Sequence, residues 1–172
     1  MASLPAVDPS KLKPLGIDQG CGKSGKKFDA ARTDCDDSQG AGVDCGSLGS
    51  EGGYPSNEVC PGAVFMRKRC FVYSQNFKPK VTAAAVACLG TAKMENCNTC
   101  RPFSCGHQAL MDACPDPSAD ADCATISRSC SGVDKTRCSS YLSGMTAKGR
   151  QAMVSCLTAT CSKGFERCLE SL

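Results

Sequence analysis

A mainly α-helical, disulfide-rich bundle of short helices, with an irregular N-terminal third and one short β-hairpin, is what this chain should form. The first reason is that sixteen of its 172 residues are cysteine, an even number. All but one pair are spaced five to eighteen residues apart, which suits cross-links better than the clustered ligands of a zinc module. The second reason is a helical apolar period that begins near Lys78 and recurs to the C-terminus. The third is a weak core composition: there is no tryptophan, six phenylalanines and three tyrosines, so covalent staples must supplement burial.

Residues 1–20 are polar and carry three prolines, and are expected to be a flexible leader. They contain no apolar run of signal-peptide length, which predicts that the numbered chain is a mature form. Residues 21–76 form an irregular, disulfide-pinned segment in which Gly, Ser, Asp and Pro recur. Such a stretch buries too little apolar area to order itself, so Cys21, Cys35, Cys45 and Cys60 must hold it. Within it, AVFMRKRCFVYS (63–74) is rich in β-formers with a basic middle, and predicts the hairpin; a helical turn is the alternative.

Residues 77–172 read as a disulfide-linked helical domain. Val81, Ala85, Cys88 and Leu89 share one helical face, and Gly90 weakens or ends that helix. A second helix covers Ser104 to Ala113, burying Leu110 and Met111 beside Cys114. Asp116 or Ser118 caps a third that runs to about Ser129. Asp134 caps a fourth with Cys138, Tyr141 and Leu142, and Thr146 a fifth with Met153, Cys156 and Leu157. The sixth, GFERCLESL, places Phe165, Cys168 and Leu169 at i, i+3 and i+4. AVACL (85–89) and MVSCL (153–157) form a weak internal echo of a helical pair.

All sixteen cysteines are disulfide candidates, namely Cys21, Cys35, Cys45, Cys60, Cys70, Cys88, Cys97 and Cys100, then Cys105, Cys114, Cys123, Cys130, Cys138, Cys156, Cys161 and Cys168. Up to eight bridges follow, with a connectivity that sequence alone leaves open. Cys97-Asn98-Thr99-Cys100 has the spacing of a redox dithiol but is flanked by helices rather than by a strand–helix unit.

GCGKS (20–24) echoes a phosphate loop, but the motif needs glycine at 17, where Ile17 stands, and no strand precedes it. Asp34, Asp36 and Asp37, with Asp44 nearby, make a candidate calcium loop; an EF-hand would need glycine at 39 and glutamate at 45, where Gln39 and Cys45 stand. No other metal or cofactor is indicated. His107, the lone histidine, lacks an adjacent Asp or Cys-Cys pair, and Asp112 lies off its face, so a helix-surface histidine is expected.

The run LSGMTAKGRQAMVSCL and the closing GFERCLESL resemble the C-terminal part of cysteine-rich lipoproteins and secreted proteins of delta-type proteobacteria. The likeness spans roughly residues 77–172 and implies an envelope location and a disulfide-linked helical domain, with no site residues to transfer.

Net charge is +3, split between −3 over residues 1–59 (six Lys/Arg, nine Asp/Glu) and +6 over 60–172 (fourteen against eight). That imbalance is too mild for a nucleic-acid surface, and no apolar run approaches a transmembrane length. The expectation is a non-enzymatic bacterial protein, secreted, periplasmic or on the outer cell surface, with a structural, binding or assembly role. Its partner would be a protein or envelope component, or a further copy of the chain. The rivals are a calcium-assisted hydrolase using His107 and a thiol-redox or metal-binding protein.

Overall fold

The structure is a computed structural model that describes residues 8–15, 27–48, 65–91 and 100–172. Seven helices carry the described fold: α1 (Phe65–Asn76), α2 (Pro79–Thr91), α3 (Cys100–Met111), α4 (Ser118–Ser129), α5 (Lys135–Ser143), α6 (Ala147–Ala159) and α7 (Gly164–Glu170). The expected mainly α, disulfide-rich bundle is therefore the fold observed.

The hairpin expected at 63–74 is not formed: residues 65–76 are α1. Met66, Cys70, Tyr73 and Phe77 are buried at i, i+4, i+7 and i+11, a helical stripe. Arg69 and Asn76 are buried in the same stripe and Phe71 is half-exposed, so the apolar period is blurred in the sequence. Arg69 is held because its guanidinium donates to Leu169 O (3.2 Å) and Glu170 O (3.0 Å), carbonyls of the last turn of α7. It also lies 4.9 Å from the Phe103 ring centroid.

The helices from α2 onward lie close to their expected places. Gly90 is accommodated inside α2 rather than ending it. Asp134 Oδ1 accepts from Arg137 N (2.7 Å) and Thr146 Oγ1 from Gly149 N (3.2 Å), as their cap roles require. α3 starts four residues earlier than expected and is packed by α1, α2 and α5. Ser104, Cys105, Gly106 and Ala109 allow that close approach; a Cβ on Gly106 would lie 2.5 Å from the Tyr73 hydroxyl.

The leader expected to be flexible is docked over part of its length. β1 (Lys13–Pro14) pairs in parallel with β2 (Cys130–Ser131), and Leu15 N donates to Ser131 O (2.8 Å). Residues 27–48 contain no helix or strand, as their composition predicts.

The α1–α2 and α5–α6 corners meet at the centre of the fold. Phe77 and Met145 form an antiparallel bridge, Lys78 N donating to Gly144 O (2.9 Å) and Thr146 N to Asn76 O (2.9 Å). A Cβ on Gly149 would overlap the Asn76 carbonyl, so α6 can touch this corner only through a glycine.

Six bridges join described cysteines: Cys35–Cys114, Cys45–Cys70, Cys88–Cys105, Cys123–Cys138, Cys130–Cys161 and Cys156–Cys168. Each of the seven helices carries one of these half-cystines. Cys21, Cys60 and Cys97 lie outside the described residues, as does the side chain of Cys100, and so does the GCGKS segment. No helix among the described residues is long and apolar enough to cross a membrane.

Candidate functional site

The densest cluster of charge and hydrogen bonding sits on the turn between α3 and α4, Cys114-Pro115-Asp116-Pro117-Ser118. Pro117 pushes Asp116 out of the helical region, which frees its carboxylate to turn back on the chain. Oδ1 accepts from Ser118 N (2.9 Å) and Ser118 Oγ (2.6 Å), so Asp116 supplies the start of α4 as expected. Oδ2 accepts from Lys78 Nζ (2.6 Å) at the head of α2 and from Arg150 in α6 (3.0 Å). Arg150 Nε reaches Asp122 as well (3.2 Å). Three helices are thus tied at one carboxylate. Burial alone would raise the Asp116 pKa, but the bonds from Lys78 and Ser118 outweigh it and hold the carboxyl well below the usual range.

Asp116 forms one wall of a cleft of about 420 Å³, whose other walls include Cys35, Asp36, Asp37 and Lys78. On its far side, Asp116 and Cys35 also border a second cleft of about 490 Å³ with Arg32, Asp120, Ser139 and Ser143. In the first cleft Lys78 and Asp116 are bonded to each other. In the second, Arg32 is paired with Asp112 and Asp116 with Lys78 and Arg150, partners that all lie outside that cleft's walls.

The acidic residues singled out in the sequence do not converge. Asp37 is buried and accepts from Cys114 N (2.6 Å). Asp36 accepts from Ser38 N (2.8 Å), which with the Ser38 side chain lowers its pKa, and Asp44 accepts from Gly46 N (2.8 Å). Asp34 is exposed. Asp36 and Asp44 are thus spent on the loop's own turns, and Asp37 on tying the loop to the turn before α4. Cys35, Asp37 and Cys114 place three ligand-type atoms within 4.8 Å of one another, but the two sulfurs are bonded together, and a metal takes thiolate.

His107 is not on the surface. It is 4 % exposed in α3, with Nδ1 2.8 Å from the Tyr141 hydroxyl and its ring tilted against that tyrosine. The sequence signal that was missed is the small-residue run around it, which marks α3 as a helix packed on several sides. His107 lines neither cleft, so the structure does not bring it together with the acidic loop.

Fold and site together define a class, a helical scaffold stapled by disulfides whose polar clusters are spent on holding elements together. Comparison with protein-family models, with curated proteins and with solved structures finds nothing that matches this chain.

Proposed function

We propose that the chain is a non-enzymatic structural, binding or assembly protein of an oxidising, extracytoplasmic compartment. The observation that carries this reading is the placing of at least one half-cystine in every helix among the described residues. In a reducing compartment these thiols would stay open, and helices of seven to thirteen residues would lose the links that offset their marginal stability. The resemblance of residues 77–172 to cysteine-rich envelope proteins favours a periplasmic or outer-surface site, with a protein or envelope component, or a further copy of the chain, as partner. The roles taken by Asp116, Arg150 and His107 speak against a reaction centre built on them, because each is engaged with a partner within the fold.

The test is to fractionate cells that make the protein and count its thiols after rapid alkylation under denaturing conditions. Recovery outside the cytoplasm with less than about one thiol per chain supports the reading. Ten or more thiols, or recovery in the cytoplasm, sinks it and revives the thiol-redox alternative.

A further inference from the structure

The central bridge has an unusual regularity. Phe77 and Met145, the bridged pair, are 68 residues apart, and its two hydrogen bonds exchange when 68 is added to or subtracted from the residue numbers: Lys78 N to Gly144 O becomes Thr146 N to Asn76 O. That is the behaviour of a two-fold axis, at which a surface meets its own equivalent.

The same offset carries through the sequence. Over residues 69–89 and 137–157, Arg69/Arg137, Cys70/Cys138, Tyr73/Tyr141, Val86/Val154, Cys88/Cys156 and Leu89/Leu157 are identical pairs. Burial follows as well: Phe77, Val81, Ala85 and Leu89 are buried, and so are Met145, Gly149, Met153 and Leu157. At the axis both contacts are met with a glycine from the second half. Gly149 faces Asn76, whereas in the equivalent contact Gly144 faces Val81.

Disulfides obey the same relation. In the second half, Cys138 in α5 bridges back to Cys123, and Cys156 in α6 bridges on to Cys168 in α7. In the first half, Cys70 in α1 bridges back to Cys45, and Cys88 in α2 bridges on to Cys105 in α3. The second half has a third bridge, Cys130–Cys161, nested between those two. Cys130 lies five residues before the start of α5 and Cys161 three before the start of α7. Counting likewise in the first half, five residues before α1 is Cys60 and three before α3 is Cys97.

We propose that the chain is a tandem duplication of one three-bridge helical module, and that the second copy's pairing assigns Cys60 to Cys97. Cys35 pairs with Cys114 outside the two modules, so elimination leaves Cys21 to pair with Cys100. Cys97 and Cys100 are then bound to different partners, and the C-x2-C motif is not a redox dithiol. Each bridge forms by transfer of two electrons and two protons from a thiol pair to a disulfide-bearing oxidant, which leaves as the dithiol.

The test is proteolysis of the purified, oxidised full-length chain at mildly acidic pH, to prevent exchange. Mass spectrometry follows, with backbone fragmentation that cuts between Cys97 and Cys100. The expected result is Cys60 linked to Cys97 and Cys21 linked to Cys100. A Cys97–Cys100 bridge, a Cys60–Cys100 link or a free thiol at Cys60 overturns the assignment. The double variant Cys60→Ser/Cys97→Ser gives a second readout. It should carry no free thiol, whereas Cys60→Ser/Cys100→Ser should release the thiols of Cys21 and Cys97; the reverse pattern also overturns it.

Discussion

Removing the Asp116 carboxylate should destabilise the fold at neutral pH and flatten its response to acid. The carboxylate bonds Lys78 and Arg150, and the three side chains are 21 %, 24 % and 16 % exposed. Breaking a fully buried pair costs roughly 3–5 kcal/mol and an exposed pair less than about 1 kcal/mol. A site this nearly enclosed, with two cations left behind and the Ser118 bonds lost, places Asp116→Ala at about 3 kcal/mol. For a chain of this size that is a fall in Tm of roughly 6–12 °C. Asp116→Asn keeps an acceptor for Ser118 and should lose about half as much. The acid response has a definite direction. The folded pKa is depressed, so the stabilisation is complete above the ordinary carboxylate pKa near 4 and is lost as pH falls below it towards the folded value. Thermal melts followed by circular dichroism at about pH 7, 4 and 2.5 should show wild type converging on Asp116→Asn as pH drops. Asp8 and Asp36 also have lowered pKa values, but both carboxyls are present in both proteins, so the difference isolates Asp116. Equal Tm at neutral pH with parallel acid slopes would refute the argument.

His107→Ala removes the 2.8 Å partner of a fully buried tyrosine hydroxyl and opens a cavity, and should cost about 2–4 kcal/mol in chemical denaturation; a change under about 0.5 kcal/mol would contradict its burial. Glycine-to-alanine changes should have opposite signs at two helical sites. Gly149→Ala forces a methyl into the Asn76 carbonyl and should cost more than about 2 kcal/mol, whereas Gly90→Ala meets open space in α2 and should stabilise by about 0.5–1 kcal/mol. Loss of the Cys35–Cys114 bridge by double alanine substitution should cost about 4 kcal/mol on chain entropy, because the enclosed bridges Cys45–Cys70 and Cys88–Cys105 shorten the loop that its separation of 79 would otherwise open, against about 3 kcal/mol for Cys156–Cys168 at a separation of 12. Urea midpoints of the two double variants check the ranking, and a reversed order would mean that strain or denatured-state structure dominates.

The helices were legible wherever a cap and a clean stripe coincided. Asp134 and Thr146 precede alternating apolar turns, and both perform the capping that their residue types promise. α1 was not legible, because two of its inward positions are Arg69 and Asn76, and polar residues at core positions erase the period that identifies a helix. Those two are tolerated for tertiary reasons: Arg69 serves the end of a helix 100 residues away, and Asn76 stands at the axis corner. The burial of His107 was hidden for a related reason. A helix packed on several sides shows no polar face, and around His107 the small residues carry the signal instead of large apolar ones. In the acidic loop the sequence sets carboxylates side by side without showing what they bond. Asp36 and Asp44 accept from backbone amides two residues on, whereas Asp37 reaches Cys114 N across the fold, a tertiary bond that no local pattern announces.

The duplication explains why so small an apolar inventory suffices. At the corner where the halves meet, Phe77 packs opposite Met145 and the two backbones exchange two hydrogen bonds, so each copy supplies the surface that covers the other. What the halves do not share is their outer cover. Cys138 is tied to helix α4, whereas the equivalent Cys70 is tied to the irregular segment 27–48. One module is therefore covered by regular structure that satisfies its own backbone. The other is covered by a chain that depends on its cross-links and Asx turns to stay in place. The covers differ in kind, while the paired corners keep their geometry. The outward faces of the shared helices differ too: Phe71 on α1 is half-exposed where the equivalent position of α5 is Ser139. A partner can therefore distinguish one end of this pseudo-symmetric molecule from the other on these helices as well as through residues 27–48 or α4.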